Sequence, residues 1–266
     1  MKRDSYASPG TVTSEVRLVV NADDLGLSAE INAGVLWGLE NGYISDTSVL
    51  INAPCAGQAV EGLARLGIRH AGIHIDLDGV FGWSPGGREA HTRDELAALL
   101  GQDGFVEACR DSARMQARKF VSAGLIPSHV DTHHHVHGFL PVFLMLLELA
   151  RDWHIPAVRF SRQGYSLTTR QPIPFDDAVF SRMQDMLEGQ GLVYCPCYLE
   201  GALRLEEVGY ADTELVVHPA TGRDPWRTAE LDTLVASAGR ERLQAAGIRM
   251  VSFHELAGGA LPRSCS

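Results

Sequence analysis

Short apolar runs alternate with longer segments of helical periodicity along most of the chain. Apolar runs of this length, several of them rich in β-branched side chains, predict buried strands. The predicted strands span residues 16–20, 47–51, 71–75, 129–132, 157–160, 193–195, 215–217 and 249–253. A strand followed by a helix, repeated along the chain, is typical of parallel pairing through right-handed crossovers.

Helix boundaries follow from capping residues and from the spacing of apolar positions. Ser28 is a favourable N-cap, and Gly42 stops the helix that runs to about Glu40. Thr92 and Glu95 form a capping-box pattern, whereas residues 81–87 combine Gly, Trp and Pro and predict a loop. Further helices are predicted at residues 54–66, 105–123, 140–147, 176–188 and 228–246.

This element order predicts an α/β fold, a distorted TIM-like (β/α) barrel. An open doubly wound sheet is the alternative, because both folds repeat the same unit. We expect one domain over residues 16–260, a flexible leader at 1–15 and a short tail at 261–266. With 266 residues the chain has room for a barrel of this size.

Composition narrows the possible partners and the compartment. The net charge of −10 disfavours nucleic acid, which needs a positive surface, but allows a neutral sugar. Five scattered cysteines do not suggest a disulfide framework, and residues 1–15 lack the apolar core of a secretory signal. The apolar stretch at 139–150 is too short to span a bilayer. We therefore expect a cytoplasmic protein with no membrane span.

Polar groups stand at the ends of two predicted strands in the first third of the chain. Asp23 and Asp24 follow the first strand, and adjacent carboxylates repel unless a cation or a proton lies beside them. An Asx turn leading into the next helix is an equally good explanation. His74 ends the third strand and is followed by Asp76 and Asp78 at period two. A histidine in such a position is more often a core residue than a ligand.

A third group is the segment His-Val-Asp-Thr-His-His-His-Val-His at residues 129–137. Five histidines in nine residues, between a strand and an amphipathic helix, indicate metal binding rather than packing or a surface tract. In a continuous strand His129 and His133 would be roughly 13 Å apart. His133, at the strand end, is therefore the better ligand, while His129 and Asp131 line the pocket or orient a ligand.

The fourth group is His218, which precedes Pro219 at the end of another apolar run. It is either a general acid or a histidine held by the proline turn. Together, the strand ends offer an Asp/His/His ligand set with a spare carboxylate and a spare imidazole. Three protein ligands and an open position describe a hydrolytic metal site, in which a carboxylate takes a proton from water and an imidazole protonates the leaving amine.

Four motifs resemble the YdjC-like carbohydrate deacetylases, which include chitooligosaccharide deacetylases. They are Asn21-Ala22-Asp23-Asp24-x-Gly26, Gly72-Ile73-His74, the histidine segment 129–137 and His218-Pro219-Ala220, and the likeness runs from about residue 17 to 256. The resemblance implies a distorted barrel, one divalent ion (magnesium or zinc) and a homodimer. It implies metal ligands at Asp24, His74 and His133, with Asp23 as base and His218 as acid.

The sequence departs from that family in ways that bear on the substrate. Leu25 stands where an aromatic residue is expected, Val217 replaces a cysteine of some relatives, and Asp76 and Asp78 are additional acids. Candidate substrate contacts are Asp76, His129, Asp131, Arg159 and Arg162, although surface ion pairing also explains the two arginines. The expected reaction removes an acetyl group from an N-acetylated amino sugar. Alternatives are another metal-dependent barrel hydrolase, such as a phosphoesterase or amidohydrolase, and a sugar-binding protein without activity.

Overall fold

The structure is a computed structural model, which describes residues 16–82, 93–160, 166–167, 171–172, 177–205, 208 and 211–258. Its strands are β1 (Val16–Leu25), β2 (Asp46–Val49), β3 (His70–Ile75), β4 (Ile126–Thr132), β5 (Ser166–Leu167), β6 (Gln171–Pro172), β7 (Cys197–Glu200), β8 (Thr213–Val217) and β9 (Ile248–Met250). Its α-helices are α1 (Ala29–Glu40), α2 (Ala56–Arg65), α3 (Asp78–Phe81), α4 (Arg93–Leu100), α5 (Phe105–Ser122), α6 (Leu140–Asp152), α7 (Asp177–Gly189), α8 (Pro225–Ser237), α9 (Arg240–Ala245) and α10 (Phe253–Leu256). A 3₁₀ segment, His133–Gly138, joins β4 to α6.

The fold is α/β, built on a parallel sheet in the order β4-β3-β2-β1-β8-β7, with β9 also paired to β1. Two isolated parallel bridges continue this order beyond β4, from Val130 to Val158 and from Ala157 to Val193. Val193 lies just before β7, which pairs with β8 at the far end of the sheet. The sheet thus curves back on itself, as in a distorted TIM-like barrel with one irregular side.

The strands at the centre of the sheet are buried on both faces. β1 is buried from Leu18 to Leu25, and all five residues of β8 are buried. Helices cover the outer face, with α6 contributing Phe143 and Leu146 to the core. Near-continuous apolar runs are what a parallel sheet covered by helices requires. No helix in the described part of the chain is both long and apolar enough to cross a membrane.

Most predicted elements are present, and the differences have local causes. β1 continues past residue 20 to Leu25, so Asp23 and Asp24 belong to the strand itself. Predicted strands at 157–160 and 193–195 are reduced to single bridges. The last predicted strand stops at Met250, because the side chain of Ser252 caps α10 in a capping box with Glu255. The predicted helix at 228–246 is two helices, α8 and α9.

Several expectations fall on positions that the structure does not cover. Of the predicted loop at 81–87, Phe81 ends α3 and Gly82 follows in a left-handed conformation, while the rest lies outside the described residues. The leader at 1–15, Thr92, Arg162 and the tail at 261–266 lie outside them too.

Candidate metal centre and active site

The carboxyl ends of β1, β3 and β4 bring three predicted ligands together. Asp24, His74 and His133 each offer one ligand atom, and these atoms all lie within 4.8 Å of one another. Asp24 Oδ1 is 3.1 Å from His133 Nδ1 and 3.5 Å from His74 Nε2. Asp24 adopts φ 66, a left-handed conformation that costs free energy for a residue with a side chain.

The donor set fits a divalent cation. Asp24 Oδ1 is a buried oxygen without a hydrogen-bond partner, and two imidazole nitrogens are directed at the same space. A buried acceptor left in this state is costly unless a cation satisfies it. The other oxygen, Asp24 Oδ2, accepts a hydrogen bond from Arg227 Nη2 at 2.5 Å. Burial raises the pKa of Asp24, but His133, His74 and Arg227 hold it well below its usual value, so the carboxylate is ionised.

Asp131 orients one of the candidate ligands. His74 Nδ1 lies 2.7 Å from Asp131 Oδ1. An ionised carboxylate only accepts hydrogen bonds, so His74 donates its Nδ1 proton to Asp131, and the ring directs Nε2 at Asp24 Oδ1. Burial opposes ionisation of Asp131, yet Arg159 and His74 lower its pKa well below the usual value. Of the two roles predicted for Asp131, this contact matches the orienting one.

Asp23 and Arg159 form a buried ion pair beside the cluster. Arg159 Nη1 and Nη2 donate to the two oxygens of Asp23, both at 2.7 Å. Arg159 Nη1 also lies 2.7 Å from Asp131 Oδ2, and Nε donates to Glu214 at 2.8 Å. The Arg159 side chain has no exposed surface, so the interpretation of this residue as a surface ion pair is wrong. Its guanidinium is held by three carboxylates below the site.

The pKa of Asp23 reflects this environment. Burial raises it, but Arg159 and then His74 outweigh burial and lower the pKa below the usual value. Asp23 Oδ2 is 3.9 Å from His74 Nε2, so it borders the space between the candidate ligands. Asn21 Nδ2 donates to the other oxygen of Asp23 at 2.7 Å.

His129 stands apart from the candidate ligands. Its ring contacts the backbone of Gly72 so closely that a Cβ there would lie 2.3 Å from His129 Nε2. Ser48 Oγ lies 2.9 Å from His129 Nε2 and 2.8 Å from Asp131 Oδ2, which it bonds as donor. Burial lowers the pKa of His129 to about 3, and the imidazole is therefore neutral. The His129 side chain is fully buried. The contact between His129 and substrate remains a prediction.

Of the remaining histidines in the segment 129–137, His134 lies at the rim of the site, whereas His135 and His137 lie in the protein interior. His134 Nε2 is 3.5 Å from Asp78 Oδ2, and these two residues with His133 form a second group whose ligand atoms lie within 4.8 Å. His135 and His137 are buried, and burial lowers the pKa of His135 to about 3. Asp76, predicted to contact substrate, accepts a hydrogen bond from the Asp78 backbone at 2.8 Å and so closes a local turn.

His218 follows β8, which pairs with β1 on the side opposite to β2 and β3. Its backbone N–H donates to Glu230 Oε2 at 3.0 Å, and Nδ1 is 3.8 Å from the same oxygen. Burial lowers the pKa of His218, but Glu230, Asp24 and Asp23 outweigh it and raise the pKa above its usual value. The ring therefore favours the protonated form that an acid needs. Its centroid lies 5.7 Å from that of Trp226.

Sequence reasoning missed four polar residues of this site: Arg227, Glu214, Glu230 and Ser48. Arg227 lies on α8, away from any strand end, and only the tertiary fold brings it to Asp24. Glu214 carried a signal, because an acid within the apolar run of β8 needs a buried partner. Burial raises its pKa to about 7, although Arg159 opposes this.

Comparison with known proteins places the chain in a family. The model of the YdjC-like protein family matches residues 17–245, and the chain belongs to that family. It is 28% identical over 258 residues to a carbohydrate deacetylase of Clostridium beijerinckii, covering 91% of this chain and all of that one. It is 26% identical over 265 residues to a chitooligosaccharide deacetylase of Salmonella schwarzengrund, covering 90% and 98%.

A solved structure supports the fold. A protein of Enterococcus faecalis, described as a cellobiose-phosphate cleavage protein, superposes with a TM-score of 0.64 at 20% identity. The match covers 91% of this chain and 99% of the other. At this level of identity the likeness concerns the architecture of the chain only.

Proposed function

We propose that this protein is a metal-dependent hydrolase that removes the acetyl group from an N-acetylated amino sugar. The observation that carries the proposal is the group Asp24, His74 and His133, with Asp23 and His218 beside it. Membership of the YdjC-like family and the deacetylase names of the relatives support the choice of substrate. A divalent cation held by the three ligands would supply Lewis acidity toward the acyl carbonyl and toward water.

Asp23 is the proposed base. Its lowered pKa keeps it ionised near neutral pH, and the Arg159 fork fixes its plane. A positioned carboxylate at the edge of the ligand cluster can take a proton from the attacking water. Arg159 donates hydrogen bonds to both carboxylate oxygens of Asp23, so Asp23 needs no metal ion as a partner. Asp24 differs, because its Oδ1 has no hydrogen-bond partner.

His218 is the proposed acid. The carboxylates of Glu230, Asp24 and Asp23 raise the pKa of the imidazole, so that it holds a proton near neutral pH. The ring is partly exposed, with 16% of its side-chain surface accessible, and so it is open to a ligand. Protonation of the departing amine is the step that deacetylation requires of such a group.

Zinc suits the donor set better than magnesium. Two imidazole nitrogens and one carboxylate are ligands that zinc accepts readily, whereas magnesium prefers oxygen ligands and retains its water. We therefore expect higher affinity for zinc than for magnesium when each is titrated into the metal-stripped protein.

The test is acetate release from N-acetylated chitooligosaccharides by the metal-loaded protein, with the Asp23→Asn variant alongside. We expect turnover by the parent, retention of the ion in the variant and loss of about 10²–10⁴-fold in rate, the usual contribution of a general base. No acetate from a broad panel of N-acetylated sugars would contradict the proposal.

A second candidate, a two-metal phosphoesterase or amidohydrolase, is favoured by one observation. Asp78 and His134 form a second group with His133 at the rim of the first. Two-metal hydrolases hold their ions roughly 3.5–4 Å apart, so adjacent groups are a prerequisite. Metal content separates the candidates: one ion per chain supports the deacetylase, and two ions per chain support the alternative.

A further inference from the structure

The rim of the site carries an exposed tryptophan that the proposed chemistry does not use. Trp226 lies in the first turn of α8, next to the residue that binds Asp24, and is 47% exposed. Large apolar side chains at such exposure are unremarkable alone, but an aromatic ring at the mouth of a polar site is a common ligand contact.

Two neighbours hold the indole in place. The Arg227 guanidinium carbon lies 4.5 Å from the centroid of the Trp226 ring, and the same guanidinium donates to Asp24 Oδ2. The His218 ring stands 5.7 Å away at 52°. The ring is thus fixed by the same side chains that border the proposed active site, and fixing it beforehand lowers the entropy lost on binding.

From this arrangement we propose that Trp226 is the platform for a hexopyranose ring next to the ring that loses its acetyl group. The inference rests on the proposed function. A pyranose ring presents C–H groups with partial positive charge, which are attracted to the negative face of an indole. The Arg227 guanidinium contacts both the indole and Asp24, so one side chain links the platform to the ligand cluster. That position beside the cluster suits the neighbouring sugar rather than the reacting one.

The chain offers a matched control in Trp37. It is 40% exposed, close to the value for Trp226, but it lies on α1 and stacks on Tyr43 with centroids 5.5 Å apart. Trp37→Ala therefore removes an indole of similar exposure that stacks on Tyr43, whereas Trp226 packs against Arg227 and His218. Trp226→Phe keeps an aromatic face and serves as the conservative variant.

The experiment compares KM and kcat for N-acetylglucosamine and for its β-1,4-linked disaccharide. For Trp226→Ala we expect KM of the disaccharide to rise roughly tenfold, the loss of one aromatic contact, with a much smaller change in kcat. Trp226→Phe should restore most of the affinity, and Trp37→Ala should match the parent. KM for the monosaccharide should change by less than about twofold, since it lacks the neighbouring ring.

Calorimetric titration of the disaccharide into Asp23→Asn, with and without Trp226→Ala, measures the same contact without turnover. An unchanged disaccharide affinity in an active Trp226→Ala variant would overturn the platform and leave the proposed function standing. An equal rise in KM for both sugars would overturn its assignment to the neighbouring ring. A parent that releases acetate from neither sugar, nor from the broad panel of N-acetylated sugars, would overturn the proposed function and, with it, this inference.

Discussion

Replacement of Asp131 by Asn tests whether a carboxylate outside the ligand group controls metal affinity. Asp131 Oδ1 holds His74 Nδ1 at 2.7 Å, while Oδ2 lies 2.7 Å from Arg159 Nη1 and accepts from Ser48 at 2.8 Å. The amide of Asn has nearly the same shape but carries two N–H donors in place of one oxygen. With its oxygen toward His74, its N–H₂ group meets the donors of Arg159 and Ser48. With the reverse orientation it favours a proton on His74 Nε2, where the ion is expected.

The magnitude follows from these contacts. Removing the carboxylate partner of a metal-binding histidine costs about 10–100-fold in metal affinity, or ~1.4–2.7 kcal/mol. Hydrogen bonds to charged groups each contribute ~1.5–3 kcal/mol to folding, so the free energy of unfolding should fall by about the value of one such bond. Asp131→Asn should therefore show both a lower metal affinity and a lower free energy of unfolding. The loss of metal affinity is the effect that tests the role of the His74–Asp131 contact.

The assay is calorimetric titration of zinc into metal-stripped parent and variant, with circular dichroism to verify that each is folded. Asp46→Asn is the matched control, because Asp46 is also buried but accepts from the backbone of Thr47 and Phe253 rather than from His74. We expect the control to bind zinc as the parent does. A folded Asp131→Asn that binds zinc with parental affinity would refute the assigned role of the His74–Asp131 contact.

Three further outcomes are expected. His133→Ala should lose the bound ion by elemental analysis, while His154→Ala, which changes an exposed histidine, should retain it; an ion kept by both would contradict the ligand assignment. Burial lowers the pKa of His74, but Asp131 and Asp23 outweigh burial and raise this pKa well above 6.5, so protons compete with the metal ion for Nε2. Metal affinity should therefore still increase as pH rises past 6.5. A metal affinity that does not change with pH would argue against His74 as a ligand. Burial raises the pKa of Asp46 to about 7, so the parent loses stability as pH rises from about 4 to 7, at about 1.4 kcal/mol per pH unit. Relative to the parent, Asp46→Asn should therefore gain ~2.7 kcal/mol of unfolding free energy between pH 5 and 8 in denaturant titrations.

Local patterns in the sequence were sufficient to predict most helices and strands and the class of fold. Apolar runs mark strands that are buried on both faces, and the capping signal at Ser28 defines the start of α1, where Ser28 accepts from the Ile31 backbone. The same local patterns did not reveal that residues 157–160 form only isolated bridges, or that Ser252 caps a helix. Strand pairing depends on the neighbour across the sheet, which a local window does not contain.

The candidate ligands could be predicted from the sequence because the carboxyl ends of parallel strands lie at the same edge of the sheet. Polar groups at the carboxyl ends of β1, β3 and β4 meet at that edge, whatever the details of packing. The separation of His129 from His133 also followed from the rise of a strand, and His129 does lie apart, against Gly72.

What only the tertiary structure decided is how those groups are charged and held. The sequence predicted Arg159 as a substrate contact or a surface ion pair, yet the side chain is fully buried between Asp23, Asp131 and Glu214. Arg227 reaches Asp24 across 203 positions of sequence. Ionisation depends on desolvation and on the charges within a few ångströms, and both are set by contacts between distant segments. The amino-acid sequence therefore indicates which residues are candidate ligands, and the tertiary structure determines how the ionisable groups around them are buried and paired.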